Sequence, residues 1–258
     1  MVAVGATQEL MKNPDLLAET PDIETSSAEY ASRFAGRAGE YFLDVQSKTV
    51  SAALTGLVPG SLLDVGGGHG QLVDPLTRLG WHVTVHGTSA ECERNLRELH
   101  GKRDCAFVQG RLFELPVADR SFDAVVAVRL FAHVPDWPRL VAEMCRVARR
   151  TIIIDYPSKS GLNALTPLLF GFKKSYERNT RNYLSFTRRE LADEFAGHGF
   201  GVERVVKQFC LPMVAHRATH GSAPLRWAEI ACRATGLTAL AGSPVILRLD
   251  RRNGSQGP

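Results

Sequence analysis

The sequence predicts an α/β fold: a doubly wound, mostly parallel sheet with helices on both faces. Three observations lead there. Short apolar segments of strand length alternate with segments of helical periodicity from about residue 61 onward. Those apolar segments are nearly continuous, as in strands buried on both faces. The first of them runs into a glycine-rich turn, at the sheet edge where such folds hold ligands.

Residues 1–27 are polar, with two prolines and several acids, and read as a flexible arm. One domain is expected over 28–250. It opens with a helical cap over 28–58, in which Ser27 caps a helix and Tyr30, Phe34, Tyr41, Phe42 and Val45 recur at helical spacing. A break is expected at Gly36 or Gly39, and Pro59-Gly60 ends the cap. Strands follow at 61–66, 81–87, 105–110, 122–128 and 151–157. Helices are expected at 71–79, 88–100 and 137–148. Thr88 and Glu91 have capping-box spacing, with Ser89 a rival cap. Residues 158–186 break the alternation and read as a lid insertion. Thr187 and Glu190 then open a helix over 188–199, with His198 capping its end between two glycines. Two late strands, 201–209 and 244–250, flank a helix at 225–236. Residues 251–258 read as a disordered tail.

At 258 residues the chain is long enough for a full core without disulfide or metal staples. Lys+Arg exceed Asp+Glu by 31 to 27, a net +4, which permits a nucleic-acid partner without demanding one. The five cysteines, at 92, 105, 145, 210 and 232, form no CxxC pair. They read as reduced thiols of a cytoplasmic protein, and no metal site is expected. No apolar run approaches the ~20 residues of a membrane span.

The strongest local signal is LLDVGGGHGQL, residues 62–72. Gly66, Gly68 and Gly70 permit a tight turn and close backbone approach by a ligand. The spacing is GxGxG; Gln71 stands where a dinucleotide fingerprint needs its last glycine. TVHGTSA (84–90) lacks the acid that fingerprint wants about 20 residues on. No GxxxxGK[ST] loop is present. An oxidoreductase is therefore a weak reading, and a nucleoside triphosphate site a weaker one.

With these residues in view the chain resembles the class I S-adenosylmethionine-dependent methyltransferases, in their small-molecule branch. LLDVGGGHG looks like their first motif. FVQGRLFELPVADRSFDAVVAVRLFAHVPDWPRLVAEMCRVAR (107–149) looks like their middle region. The likeness covers roughly 60–158. It implies a seven-stranded Rossmann-like sheet with SPVILR as its last strand and one antiparallel member. It implies S-adenosyl-L-methionine as cofactor, with Asp64, Gly66, Gly68 and Gly70 at its amino-acid and ribose end. Two positions depart from the family. Gly87 stands where relatives place the ribose-binding acid, with His86 a candidate replacement. Arg111 stands where an acid often meets the adenine, and Leu112 beside it offers its backbone N–H. Losing a charged partner costs about 1–3 kcal/mol, up to ~100-fold in affinity. Arg129, ending the fourth strand, falls near the methionyl part.

Methyl transfer from a sulfonium is a displacement on an activated donor, so the protein mainly aligns the reactants and excludes water. A general base helps where the acceptor is a hydroxyl. His133 and Tyr156, at the ligand edge, are the candidates for that role. His69, inside the glycine turn, reads as a neighbour of the cofactor. Tyr30 and Phe34 from the cap, and Tyr176 and Tyr183 from the lid, are candidate walls of a substrate pocket. Lys173, Lys174, Arg178 and Arg181 interleave with the lid tyrosines. The expected activity is methyl transfer to O, N or C of a small, partly apolar molecule, by a monomer or homodimer. The rivals are a tRNA or rRNA methyltransferase, distinguished by a continuous basic surface over 173–189, and a non-catalytic or altered-ligand protein on the same fold, motivated by Gly87 and Arg111.

Overall fold

The computed structural model describes residues 36–68, 70–100, 105–159 and 183–252. The expectations for the arm, for 253–258 of the tail, and for Tyr30, Phe34, His69, Tyr176 and the lid cations 173–181 lie outside these residues; the first expected tail residue, Arg251, instead ends the last strand, and the Arg252 N–H donates to Gly199 O at 2.8 Å.

A helix, α1 (Gly36–Leu54), comes first. It runs through Gly39, and Gly36, the other position expected for a break, opens it with φ +72°. Gly39 is buried there, so its lack of a side chain serves packing. Strands β1 (Ser61–Val65), β2 (His82–Gly87), β3 (Ala106–Gln109), β4 (Phe122–Ala127) and β5 (Ala148–Tyr156) follow. Between them lie α2 (Val73–Arg78), α3 (Ala90–His100) and α4 (Trp137–Val147), with a 3-10 turn at Phe131–His133 after β4. Next come α5 (Arg188–Gly197), β6 (Phe200–Phe209), the helices α6 (Met213–Ala218), α7 (Ala223–Ala234) and α8 (Leu237–Ala241), and β7 (Ser243–Arg251). Helices α6 and α8 were not expected.

The seven strands lie in the order β3-β2-β1-β4-β5-β7-β6. Strands β1 to β5 are parallel, and β7 runs antiparallel to both β5 and β6. The chain winds one way from β1 to β3 and the other way from β4. The crevice between the ends of β1 and β4 is thus the topological switch point, where open α/β sheets bind ligands.

Alternation along the strands divides the core. Leu63, Val65, Val125, Ala127, Ile152 and Ile154 pack on one face with Leu140 and Met144 of α4 and Phe195 of α5. Leu62, Val83, Val85, Ala124, Val126 and Ile153 pack on the other with Val50 of α1, Leu76 of α2 and Leu96 of α3. Period-2 side-chain direction in the strands makes the two layers.

Charges pin the edges. Asp123 of β4 accepts from the Ser61 N–H and Oγ at 3.0 and 3.1 Å and pairs with Arg149 and Arg150. The last carbonyls of α1 are taken by arginines of the late strands: Arg204 reaches Ala52 O at 2.6 Å and Arg248 reaches Ala53 O at 3.2 Å. The Thr187–Glu190 capping box is present as expected, and His198 is the C-cap of α5. At α3 the Ser89 Oγ accepts the Cys92 N–H at 3.4 Å. All five cysteines are free thiols. Among the described residues no helix is long and apolar enough to cross a membrane. None of their His, Cys, Asp and Glu side chains group to hold a metal ion.

Candidate functional site

Strand β1 delivers the chain to a turn whose backbone only glycine adopts readily. Gly66, Gly68 and Gly70 have φ of +66°, +40° and +62°. Gly67 is needed for space: a Cβ there would lie 2.4 Å from Asp64 Oδ2. The turn closes with Gly70 N–H on Gly67 O at 2.7 Å and Val73 N–H on Gly70 O at 2.9 Å. Helix α2 starts at Val73, two residues later than expected, so the glycine loop extends through Leu72.

Asp64 is 3% exposed. Burial pushes its carboxyl up to about 7, against the pull of the Arg129 guanidinium. Across the crevice, the loop after β4 presents Arg129 at φ +60°, unusual for a residue with a side chain. Its N–H donates to Asp155 Oδ1 at 2.5 Å, which holds that conformation. Asp155 is also buried, and burial raises its carboxyl to about 6 in spite of Arg129. The Arg129 side chain reaches Gln71 Oε1. Two buried acids from β1 and β5 thus flank one guanidinium. Gln46 of α1, 94% buried by its 6% exposure, lines the same cavity with Gly66, Gly67, Gly68 and Leu130. The cavity holds about 20 Å³, room for about one water.

Sequence reasoning missed Gln46 and Asp155. Asp155 had a readable signal: IIID repeats the pattern of LLD at the end of β1, an apolar strand closing on an acid at the ligand edge. Gln46 had none, because only the packing of α1 over the sheet brings it here.

The expected ribose and adenine positions are now explicable. A side chain at Gly87 would lie 2.8 Å from Cys92 Cβ and 3.0 Å from the Phe107 ring, so no acid fits in this packing. His86 is fully buried, with Nε2 3.1 Å from the Gly110 carbonyl oxygen, tying β2 to the loop after β3. Arg111 is exposed and pairs with Glu114 at 3.5 Å. Leu112 is 1% exposed and sits in the main core. Glu143 of α4 fixes this loop, accepting from the Leu115 N–H at 2.9 Å and pairing with Arg146 at 2.8 Å.

The structure removes Tyr156 from the catalytic candidates. It is 1% exposed, packs edge-on against Phe186, and burial pushes its phenol up to about 12. It is a core residue at the end of β5. His133 lies in the 3-10 turn after β4, half-buried, with its ring 5.8 Å from that of Tyr183 at 71°. Both ends of the insertion are fastened beside this pair. Lys159 N–H donates to Phe186 O and Phe186 N–H to Pro157 O, each at 2.9 Å; Leu184 N–H donates to Ala132 O at 2.9 Å. Tyr183 is 52% exposed, so it and His133 meet at the surface of the ligand edge.

Residues 63–153 match the family model described as a methyltransferase domain. A ubiquinone biosynthesis O-methyltransferase of Hahella chejuensis (strain KCTC 2396) is 36% identical over 97 residues, 36% of this chain and 40% of that protein. The match spans two fifths of that relative's length. Among solved structures, the magnesium protoporphyrin IX methyltransferase of Synechocystis PCC 6803 with bound SAH aligns with a TM-score of 0.60 and 16% identity, covering 88% of this chain and 96% of that one. A geranyl diphosphate methyltransferase in complex with GPP and sinefungin aligns at 0.55 with 20% identity, over 81% and 78%. These structures share the fold.

Proposed function

We propose that the protein transfers a methyl group from S-adenosylmethionine to an O, N or C atom of a small molecule with a sizeable apolar part. The observation that carries this reading is the turn after β1: glycines in left-handed backbone around a buried carboxyl, at the switch point of the sheet, within the stretch that matches a methyltransferase-domain model. The similar proteins named above, a ubiquinone biosynthesis O-methyltransferase, a magnesium protoporphyrin IX methyltransferase and a geranyl diphosphate methyltransferase, support a small acceptor of that kind.

The residues present fit the cofactor. Gly67 leaves the backbone bare beside Asp64, and Asp64 is a buried acid suited to a cationic ligand. Asp64, Gly66, Gly68, Gly70 and Gln46 would hold it. When bound, it supplies a methyl group already activated on a sulfonium. Nucleosides are far larger than a water-sized space, so entry requires Arg129 and Gln71 to part. The guanidinium of Arg129, next to Asp64, stands in for the cofactor's positive charge until then. In this reading His133, in the turn after β4 with the Tyr183 ring 5.8 Å away, accepts a proton from a hydroxyl acceptor.

Isothermal titration with S-adenosylmethionine and its demethylated product tests the cofactor. Transfer of labelled methyl into cell extract, fractionated into small molecules and RNA, tests the acceptor class. Label in the small-molecule fraction supports the proposal, and label confined to RNA overturns its substrate. A second reading, a protein on this fold that binds no such cofactor, is favoured by the Arg129–Gln71 contact; it predicts no heat with either nucleoside.

A further inference from the structure

The excursion between β6 and β7, residues 210–242, reverses the usual distribution of side chains. It buries polar groups and exposes apolar ones. His216 and Glu229 are both 0% exposed and lie 3.2 Å apart. Glu229 also accepts the N–H groups of Cys210 and Leu211, at 3.0 and 2.8 Å. On the outside, Trp227 is 70% exposed, Ile230 54%, Leu237 49% and Leu240 75%.

These exposed residues form a ridge. Ala223, Trp227, Ile230 and Ala234 follow at spacings of 4, 3 and 4, which places them on one face of α7. Each is exposed, and the face carries no polar side chain. A surface helix of a water-soluble protein normally puts such a stripe inside. Helix α8 continues the ridge with Leu237 and Leu240, while its Thr238 turns inward. Along one flank of α7 stand Arg226 and Arg233, seven residues apart and both exposed. The Arg226 guanidinium lies 5.0 Å over the Tyr41 ring, and Arg233 donates to Gln208 O at 2.7 Å. Glu229 is the only acid in residues 210–242, and it is buried. The exposed charge of the excursion is therefore wholly positive.

The ridge lies at the ligand end of the molecule. β6 runs parallel to β5, because both are antiparallel to β7. The excursion accordingly leaves the sheet at the edge where β5 ends and where the glycine turn lies. Ser158 N–H, just past β5, donates to Ser243 Oγ at 3.2 Å, which ties the two exits together.

We propose that the α7–α8 ridge docks on the surface of an anionic phospholipid bilayer. Trp227, Ile230, Leu237 and Leu240 enter the boundary between headgroups and acyl chains, and Arg226 and Arg233 meet the lipid phosphates. The pairing of an apolar face bearing a tryptophan with flanking cations is the chemistry that such interfaces select. Contact with a second copy of the chain fits less well: in an isologous interface of the excursion no exposed acid is present to answer its arginines. Docking sets the mouth of the site against the phase in which an apolar acceptor collects; this consequence rests on the function proposed above, and the docking does not.

The test is flotation of the full-length chain with vesicles of phosphatidylcholine alone and of phosphatidylcholine mixed with phosphatidylglycerol, without cofactor. Binding is expected to the mixed vesicles and to fall with added salt. Arg226→Gln with Arg233→Gln should weaken it about 30-fold, about fivefold per cation at ~1 kcal/mol each. Trp227→Phe identifies the fluorescence of Trp227, which should shift to the blue on binding, and Trp227→Ala with Leu240→Ala should abolish flotation. Melting temperatures within a degree or two of the parent protein establish that these variants fold. The proposal is overturned if the mixed vesicles bind no protein or if these variants bind as well as the parent. It is also overturned if Trp227 is shielded from acrylamide before lipid is added, which means the chain itself covers the ridge. Self-association that rises with concentration and is lost in Trp227→Ala assigns the ridge to a second copy instead. Failure of methyl transfer with vesicle binding intact counts against the proposed function alone.

Discussion

Asp64 and Asp155 are carboxyls that the fold holds out of water beside one arginine, and their chemistry gives the site a pH signature. Burial raises Asp64 to about 7 and Asp155 to about 6, from an ordinary value of 3.8. The folded chain therefore keeps protons that the unfolded chain releases. Stability of the ligand-free protein falls as pH rises from about 4 to about 7, through this pair. A cationic cofactor prefers ionised Asp64, so its affinity should rise through pH 7, by up to about tenfold per unit below that point. Asp64→Asn should flatten the pH dependence and weaken binding; a titration series from acid to neutral pH checks both. At Gly87 the sequence revealed a missing acid without its reason. The reason is the contact with Cys92 and Phe107, made by residues of α3 and β3 that meet only in the folded state. Gly87→Asp, which supplies the acid the resemblance leads one to expect, should lower the melting temperature by several degrees and leave cofactor affinity no tighter. A variant that melts like the parent and binds more tightly would contradict that packing argument.

Among the elements, the strands were legible because burial on both faces writes itself as short apolar runs. LLDV, VTVHG, FDAVVAV and TIIIDY each became a strand in its expected place. The helix with a capping box at Thr187 was equally plain. Helix α6 was not, because its six residues carry no period and stand on a tertiary pair, His216 with Glu229. Burial alone would raise Glu229, but hydrogen bonds from His216, Cys210 and Leu211 outweigh it and hold the carboxyl below its usual range. This stabilisation is present above pH ~4.5 and is lost as the pH falls through the lowered value. Glu229→Ala leaves several buried donors unmet and should cost about 3–5 kcal/mol, read by chemical denaturation. The continuity of α1 through Gly39 was hidden for a similar reason. Glycine in a helix costs about 1 kcal/mol, so a glycine within the periodic segment reads as a break, while in the fold Gly39 is buried inside α1.

At the scale of the molecule, the order β3-β2-β1-β4-β5-β7-β6 decides where chemistry can happen. It sets the glycine turn, the Arg129 loop and the fastened ends of the insertion on one edge, and sends the α6–α8 excursion off the same edge. Strand alternation made the layered architecture readable; the glycine motif made one half of the site readable. The other half was not, since Gln46, Arg129 and Asp155 come together from α1, the end of β4 and the end of β5. The contact of Arg129 with Gln71 likewise has no sequence signature. Everything functional depends on the crevice admitting a sulfonium nucleoside. Calorimetric titration of the full-length protein with S-adenosylmethionine at pH 8 measures this directly. Saturable binding at one site, weakened at least about tenfold by Gly67→Ala, is the expected result. Absence of heat with both the nucleoside and its demethylated product, from a protein that melts cooperatively, would contradict the account.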